Sequence, residues 1–218
     1  MEHRLDGLSE ETGRGEAQDM SEVWKKRWRG AAGRRAVTPL GKWMFRSKSR
    51  ALRKILGTVS VRTAIEIGCG FGYTLSAIRK AGIDAVGIDI SPEAVSACAR
   101  QGLPVRQKDL AEVEERYDLV SSDGLLEHFL NFQPVAERLM GISREYVLLI
   151  QPNHDSLAGK ILALLAEILR RGVNVHEYNY RIRDFVGVFE RGGFRLVRNV
   201  PVFADVFRLL VFRKDGSP

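Results

Sequence analysis

From Thr63 onward, short apolar runs of strand length alternate with longer segments whose apolar positions recur at helical spacing. The strand-type runs are Thr63 to Ile67, Ala85 to Asp89, Val105 to Lys108, Tyr117 to Ser121 and Tyr146 to Gln151. Between them, Tyr73 to Lys80, Pro92 to Arg100 and Pro134 to Ile142 read as helices. The second of these has a marked start: Ser91 can accept from a free backbone N–H, Pro92 suits the first helical position and Glu93 complements the dipole, while Gly102 closes the segment. Such alternation predicts βαβ crossovers and a parallel sheet covered on both faces. After the fifth strand, Ser156 to Arg171 carries Leu157, Ile161, Leu164, Leu165 and Ile168 at helical spacing and interrupts the alternation. A last helix over Arg181 to Arg191 ends at Gly192 and Gly193, and Phe194 to Val200 with Val206 to Arg213 read as a terminal pair of strands. No internal repeat is visible.

Composition changes this picture little, and charge changes it more. The 218 residues suit one α/β domain with appendages, and 44% apolar with 28% charged residues exclude a mostly disordered chain or a collagen. Cys69 and Cys98 stand outside any C-x-x-C or zinc spacing, which points away from a disulfide framework and toward a reducing, cytoplasmic setting. Neither a leader nor a membrane span is expected, because Met1 to Met20 has no apolar core and no apolar stretch approaches bilayer length. The formal charge of +7 is unevenly spread. Residues 1–22 hold 2 basic and 7 acidic side chains, residues 23–60 hold 12 basic and none acidic, and the remainder holds 20 of each. The basic stretch interleaves Trp24, Trp28 and Trp43. Two readings stay open for it: a docking surface for something anionic, or a solvated helical pair whose Trp side chains pack on the core.

The stretch from Ala64 to Thr74 runs from a strand through Gly68, Gly70 and Gly72 into a helix. A turn of this kind lets backbone N–H groups and bare Cα surfaces approach a ligand closely. Asp89 ends the next strand, where a carboxylate can accept both hydroxyls of a ribose. Together these point to an adenosine-bearing ligand. The loop is G-x-G-x-G, and the third glycine of a nicotinamide fingerprint is replaced by Tyr73. Glu66, two positions before the first glycine, favours a ligand with an ammonium group over a pyrophosphate.

Glu66 to Gly72, Gly87 to Ser91, Lys108-Asp109-Leu110 and Tyr117 to Ser122 resemble the ordered motifs of class I S-adenosylmethionine-dependent methyltransferases, over roughly Thr63 to Phe212. The resemblance implies a Rossmann-like methyltransferase fold: a mostly parallel seven-stranded sheet, helices on both faces and a C-terminal antiparallel hairpin. It implies that Glu66, Gly68, Cys69, Gly70 and Gly72 hold the methionine part of S-adenosylmethionine. Asp89 would hold the ribose, Ile90 would lie against adenine, Asp109 and Leu110 would reach the adenine edge, and Ser122 and Asp123 would border the sulfonium. The expected organisation is an acidic flexible tail over 1–22, a basic Trp-containing helical cap over 23–60, and a cofactor-binding domain over 61–218 with an inserted helix at 156–171.

Methyl transfer is an in-line displacement, so the protein chiefly positions a nucleophile and, where needed, takes its proton. Glu127 and His128, with Asp123, are the catalytic candidates. Leu126-Glu127-His128 also resembles ubiquinone-pathway O-methyltransferases and small-RNA terminal 2′-O-methyltransferases, some of which bind a divalent cation through E-x-x-E-H. Here Gly124 replaces the first Glu of that set, which makes a metal the disfavoured alternative even with Asp123 adjacent and His176 downstream. His154 in the loop after the fifth strand, and Tyr178 and Tyr180 before the last helix, are further pocket candidates, with exposure and ordinary packing as their plainer readings. The expected activity is methylation of an O or N nucleophile on a small or medium-sized, possibly anionic metabolite, releasing S-adenosylhomocysteine, by a monomer or homodimer. The alternatives are an RNA or phosphate-bearing lipid acceptor, and a non-catalytic nucleoside-binding partner or scaffold. An NAD-dependent oxidoreductase is disfavoured by Tyr73.

Overall fold

The computed structural model describes residues 39–161 and 178–217. The acidic tail, the stretch 23–38, the segment 162–177 with His176, and the larger part of the expected inserted helix lie outside the described residues. In chain order the elements are α1 (Pro39–Leu56), β1 (Thr63–Ile67), α2 (Tyr73–Lys80), β2 (Asp84–Asp89), α3 (Pro92–Ala99), β3 (Val105–Gln107) and β4 (Tyr117–Asp123). They continue with α4 (Gln133–Ile142), β5 (Ser143–Pro152), α5 (Ile182–Arg191), β6 (Phe194–Val202) and β7 (Phe207–Lys214). Short 3₁₀ turns occupy Leu110–Glu112 and Leu126–His128, and residues 157–161 are helical.

The seven strands form one sheet in the order β3-β2-β1-β4-β5-β7-β6. The first five pair in parallel, and β7 runs antiparallel to both β5 and β6, so the expected mixed sheet and terminal hairpin are both found. Strand β5 is buried along nearly its whole length, which is why its Tyr146-to-Ile150 run is continuously apolar rather than alternating. One sheet face is packed through Ile65, Val120 and Leu149 against Leu139, Phe185 and Phe189 of α4 and α5. The other is packed through Ala64, Leu119 and Ile150 against Leu75 and Ile78 of α2 and Leu52, Ile55 and Leu56 of α1. Each of those three α1 side chains contributes about 1.5–3 kcal/mol by leaving water.

Local chemistry sets the helix starts. Ser91 Oγ accepts from Ala94 N at 3.3 Å with Pro92 in the first turn, as expected from sequence. Asp184 Oδ2 accepts from Arg181 N at 2.8 Å to open α5. The main departures from the sequence reading are in strand length. Strand β4 continues through Ser122 and Asp123, which pair with Leu149 and Ile150, and β5 begins at Ser143 and runs to Pro152, paired with Phe207. Ser122 and Asp123 therefore lie within the strand rather than past it. Their polarity hides the strand from periodicity, and only the ladder reveals it.

Candidate active site

The carboxyl ends of β1, β2 and β4 converge where the glycine loop leaves β1. Cys69 N donates to Ile88 O at 3.0 Å, keeping the loop against β2, and Gly72 N donates to Cys69 O at 2.8 Å, folding it back. Gly68, Gly70 and Gly72 all have positive φ (67°, 51° and 72°). At Gly72 space adds to conformation: a Cβ there would collide with the Leu103 side chain and lie 2.9 Å from Cys98 Sγ. The Cys69 thiol shares a hydrogen bond with Cys98, which together with burial keeps it protonated, and Cys98 Sγ also donates to Gly70 O at 3.2 Å.

Asp89, 7% exposed, clamps this loop to the next helix. Its Oδ2 accepts from Gly70 N and its Oδ1 from Ser91 N, both at 2.9 Å. Burial pushes its pKa up, against the pull of those N–H groups. Further along this edge, Gln107 Nε2 donates to the carbonyl of the half-exposed Ile90 at 3.3 Å. Asp109 caps the following turn, its Oδ1 accepting from Ala111 N at 2.8 Å and its own N donating to Glu112 Oε2 at 3.0 Å; Leu110 packs on the core beneath.

Glu66 is 2% exposed, and its Oε2 has no hydrogen-bond partner among the described residues. Burial first, and the charge of Asp123 second, hold its carboxyl well above the usual carboxylate range despite an N–H from Leu75. Strand alternation puts Glu66 and Asp123 on the sheet face that carries α1 and α2. There α1 supplies a counter-ion: Lys48 Nζ lies 2.6 Å from Asp123 Oδ1 and 4.0 Å from the centroid of the Phe207 ring. Thr74 Oγ1 donates to Asp123 Oδ2 at 3.3 Å, and Phe45 stacks on Tyr73 with centroids 4.0 Å apart. Phe45, Lys48, Tyr73, Thr74 and Asp123 line a small cleft. Lys48, Thr74 and Phe45 escaped the sequence reading; the basic run flagged α1 as a whole, but no spacing links Lys48 to a carboxylate 75 positions away.

Ser122 and Asp123 are adjacent in β4 and so face opposite sides of the sheet. Ser122 Oγ and both amide atoms of Gln151 are fully buried with no hydrogen-bond partner among the described residues. Alternation turns both toward the α4 and α5 face. Glu127 and His128, 4% and 5% exposed, sit on the 3₁₀ turn after β4, held by a hydrogen bond from Tyr178 N to Glu127 O at 2.8 Å. Gly124 (φ 73°) gives that turn its reversal, and a Cβ there would stand 3.2 Å from Glu127 Oε1. The carboxylate thus stands against the position where the first acid of an E-x-x-E-H set would sit. Among the described residues no three His, Cys, Asp or Glu side chains gather as a metal site. Tyr180 packs on Phe132 and Phe185 and donates its hydroxyl to Leu130 O at 2.6 Å, an ordinary structural role. His154 Nε2 is buried without a hydrogen-bond partner among the described residues.

The arrangement thus offers a buried carboxylate, an aspartate clamped by backbone N–H groups and a lysine–aspartate pair on one side of β1 and β4, with a second set of buried polar groups across the sheet. A family model for a methyltransferase domain matches residues 40–199. A ubiquinone biosynthesis O-methyltransferase of Methylococcus capsulatus is 35% identical over 77 residues, 31% of this chain and 32% of that protein, so the match spans about a third of its length. Among solved structures, the magnesium protoporphyrin IX methyltransferase of Synechocystis PCC 6803 with bound S-adenosylhomocysteine superposes with a TM-score of 0.72 at 18% identity, covering 91% of this chain and 100% of that one. An S-adenosylmethionine-dependent methyltransferase of Thermotoga maritima gives 0.70 at 12% identity, covering 89% and 99%. At these identities the structural likeness establishes a shared fold.

Proposed function

The chain belongs to the methyltransferase domain family, and from that premise we propose that it transfers a methyl group from S-adenosylmethionine to an O or N nucleophile of a small or medium-sized metabolite. The observation that carries this reading is Glu66: a carboxylate buried at the glycine loop with one oxygen unpartnered among the described residues and a raised pKa is a group built to receive a cation. The methionine ammonium of the cofactor supplies one. Lys48 complements it at the other end, since its ammonium has N–H donors beyond the one directed at Asp123, and the methionine carboxylate can accept from them. Asp89 uses one lone pair of each oxygen on the backbone and keeps others for two ribose hydroxyls. Ile90, Asp109 and Leu110 form the edge along which adenine would lie.

When bound, the cofactor supplies an electrophilic methyl carbon on a positively charged sulfur. The chain has to hold an acceptor in line with that carbon, exclude water and, for a hydroxyl acceptor, take its proton. We assign the proton to His128 and Glu127, with Ser122 and Gln151 as buried hydrogen-bonding groups on the α4 and α5 face of the sheet. Support for a small acceptor comes from the names of the relatives, which include ubiquinone-pathway and porphyrin methyltransferases.

Calorimetric titration with S-adenosylmethionine, S-adenosylhomocysteine and NAD tests the cofactor. The expected result is micromolar binding of both sulfur nucleosides, about −8 kcal/mol, and none of NAD. Binding of NAD alone would overturn the reading. With labelled S-adenosylmethionine and a cell extract as the acceptor source, His128→Ala is expected to depress methyl transfer while leaving cofactor affinity nearly intact; normal transfer would remove His128 from the catalytic set.

A further inference from the structure

We propose that the outward face of α1 docks on an anionic lipid bilayer. Lys42, Arg46, Arg50, Arg53 and Lys54 are all exposed, and at 100° per residue they fall on one half of the helix; Leu52, Ile55 and Leu56 occupy the other half, in the core. No carboxylate among the described residues pairs with any of the five. Elsewhere exposed cations are mixed, Arg79, Arg106 and Arg144 each meeting an acid while Lys80, Arg100 and Arg116 meet none among the described residues, so what sets α1 apart is five of them gathered on one half of a single helix. The segment 23–60 contains no Asp or Glu at all, so α1 has no acid of its own to offset this field.

Apolar side chains stand among these charges. Leu40 is 52% exposed and Trp43 55%, both on the cationic half. Trp43 meets Phe203 edge-on, centroids 4.6 Å apart, on the turn between β6 and β7. That turn is tied to the end of β5 through Asn153 N and Val206 O at 2.8 Å, and just beyond it Leu157 is 75% exposed and Ile161 51%. Cations with interspersed Trp and Leu on a helix that carries no acid match the interfacial region of a membrane, where lipid phosphates meet the cations and the apolar groups enter the acyl boundary. A nucleic acid would satisfy the cations and could stack on Trp43, but it has no use for Leu40, Leu157 and Ile161. No helix among the described residues is long and apolar enough to cross a membrane, so the contact would be peripheral. The proposal is independent of the chemistry in the pocket.

The test is co-sedimentation of the full chain with vesicles of phosphatidylcholine alone and of phosphatidylcholine mixed with phosphatidylglycerol, with a single-stranded RNA oligomer measured in parallel. Binding is expected to the mixed vesicles only and to fall as salt is raised. Arg46→Glu with Arg50→Glu should weaken it at least about tenfold. Leu40→Ser with Trp43→Ser should weaken it as well, while circular dichroism and S-adenosylhomocysteine affinity stay as in the parent, which separates lost docking from lost folding. Equal binding to both vesicle types, binding of the RNA but not of vesicles, or unchanged sedimentation of both variants would each overturn the proposal.

Discussion

Glu66 shows how a single side chain can oppose stability to function. Its folded pKa is raised, so its stabilising contribution is complete below the ordinary Glu range and is lost as pH rises through the raised value. At neutral pH the buried charge is a cost. Glu66→Gln is therefore expected to raise the melting temperature near neutrality, with variant and parent converging in acid, and to weaken S-adenosylhomocysteine binding by about 1.5–3 kcal/mol. Thermal melts across pH and calorimetry check the two halves separately; undiminished affinity would end the ammonium assignment. Lys48 gives a sharper version of the same test. Lys48→Met should lose affinity for S-adenosylhomocysteine by tenfold or more, about 1.4 kcal/mol, but not for its decarboxylated analogue S-adenosyl-3-thiopropylamine. Equal losses for both ligands would mean that Lys48 acts only by neutralising Asp123. Glu66 was legible in the sequence because it sits beside the glycines that define the loop. Lys48 was not, since its partner is brought to it only by the packing of α1 across α2 and β4.

At the scale of elements, the strand–loop–helix unit from Thr63 to Lys80 is positioned by glycine in two separable ways. Gly72 and Gly102 both have φ near 70°, yet only Gly72 faces neighbours, Leu103 and Cys98, while nothing lies within 4 Å of a Cβ built on Gly102. Gly102→Ala should cost about 1–2 kcal/mol from backbone conformation alone. Gly72→Ala should cost more, with about 1–3 kcal/mol added by overpacking, and should displace the loop enough to weaken nucleoside binding. Urea unfolding of both variants makes the comparison, and equal losses would show that the loop relaxes freely. The loop, the capped start of α3 and the strand-terminal Asp89 were readable from sequence, because each rests on residues within one or two turns of each other. The ends of β4 and β5 were not, because Ser122, Asp123 and Ser143 are polar residues held in strands by their ladders.

For the whole molecule, the centre of the sheet depends on Asp118, whose Oδ2 accepts from Arg62 N and Thr63 N, both at 3.0 Å, at the start of β1. Partial burial pushes its pKa up, but these N–H groups, the Thr63 hydroxyl and Arg144 outweigh that and leave it lowered. Its contribution is thus present above the ordinary Asp range and lost as pH falls through the lowered value. Asp118→Ala should cost about 1.5–3 kcal/mol at neutral pH and flatten the acid limb of the stability curve; a parallel limb would show that Asp118 is not the titrating tie. The sequence by itself determined the order of strands and helices, the glycine loop, its flanking acids and the concentration of positive charge before residue 61. These follow from periodicity and spacing, which are local. Only the tertiary structure decided that Ser122 and Asp123 face opposite sides of the sheet, that Lys48 turns inward while its neighbours Lys42 and Arg46 stay in water, and that Trp43 is left exposed. Those outcomes depend on which face of α1 meets a core assembled from distant strands, and no short-range pattern carries that information.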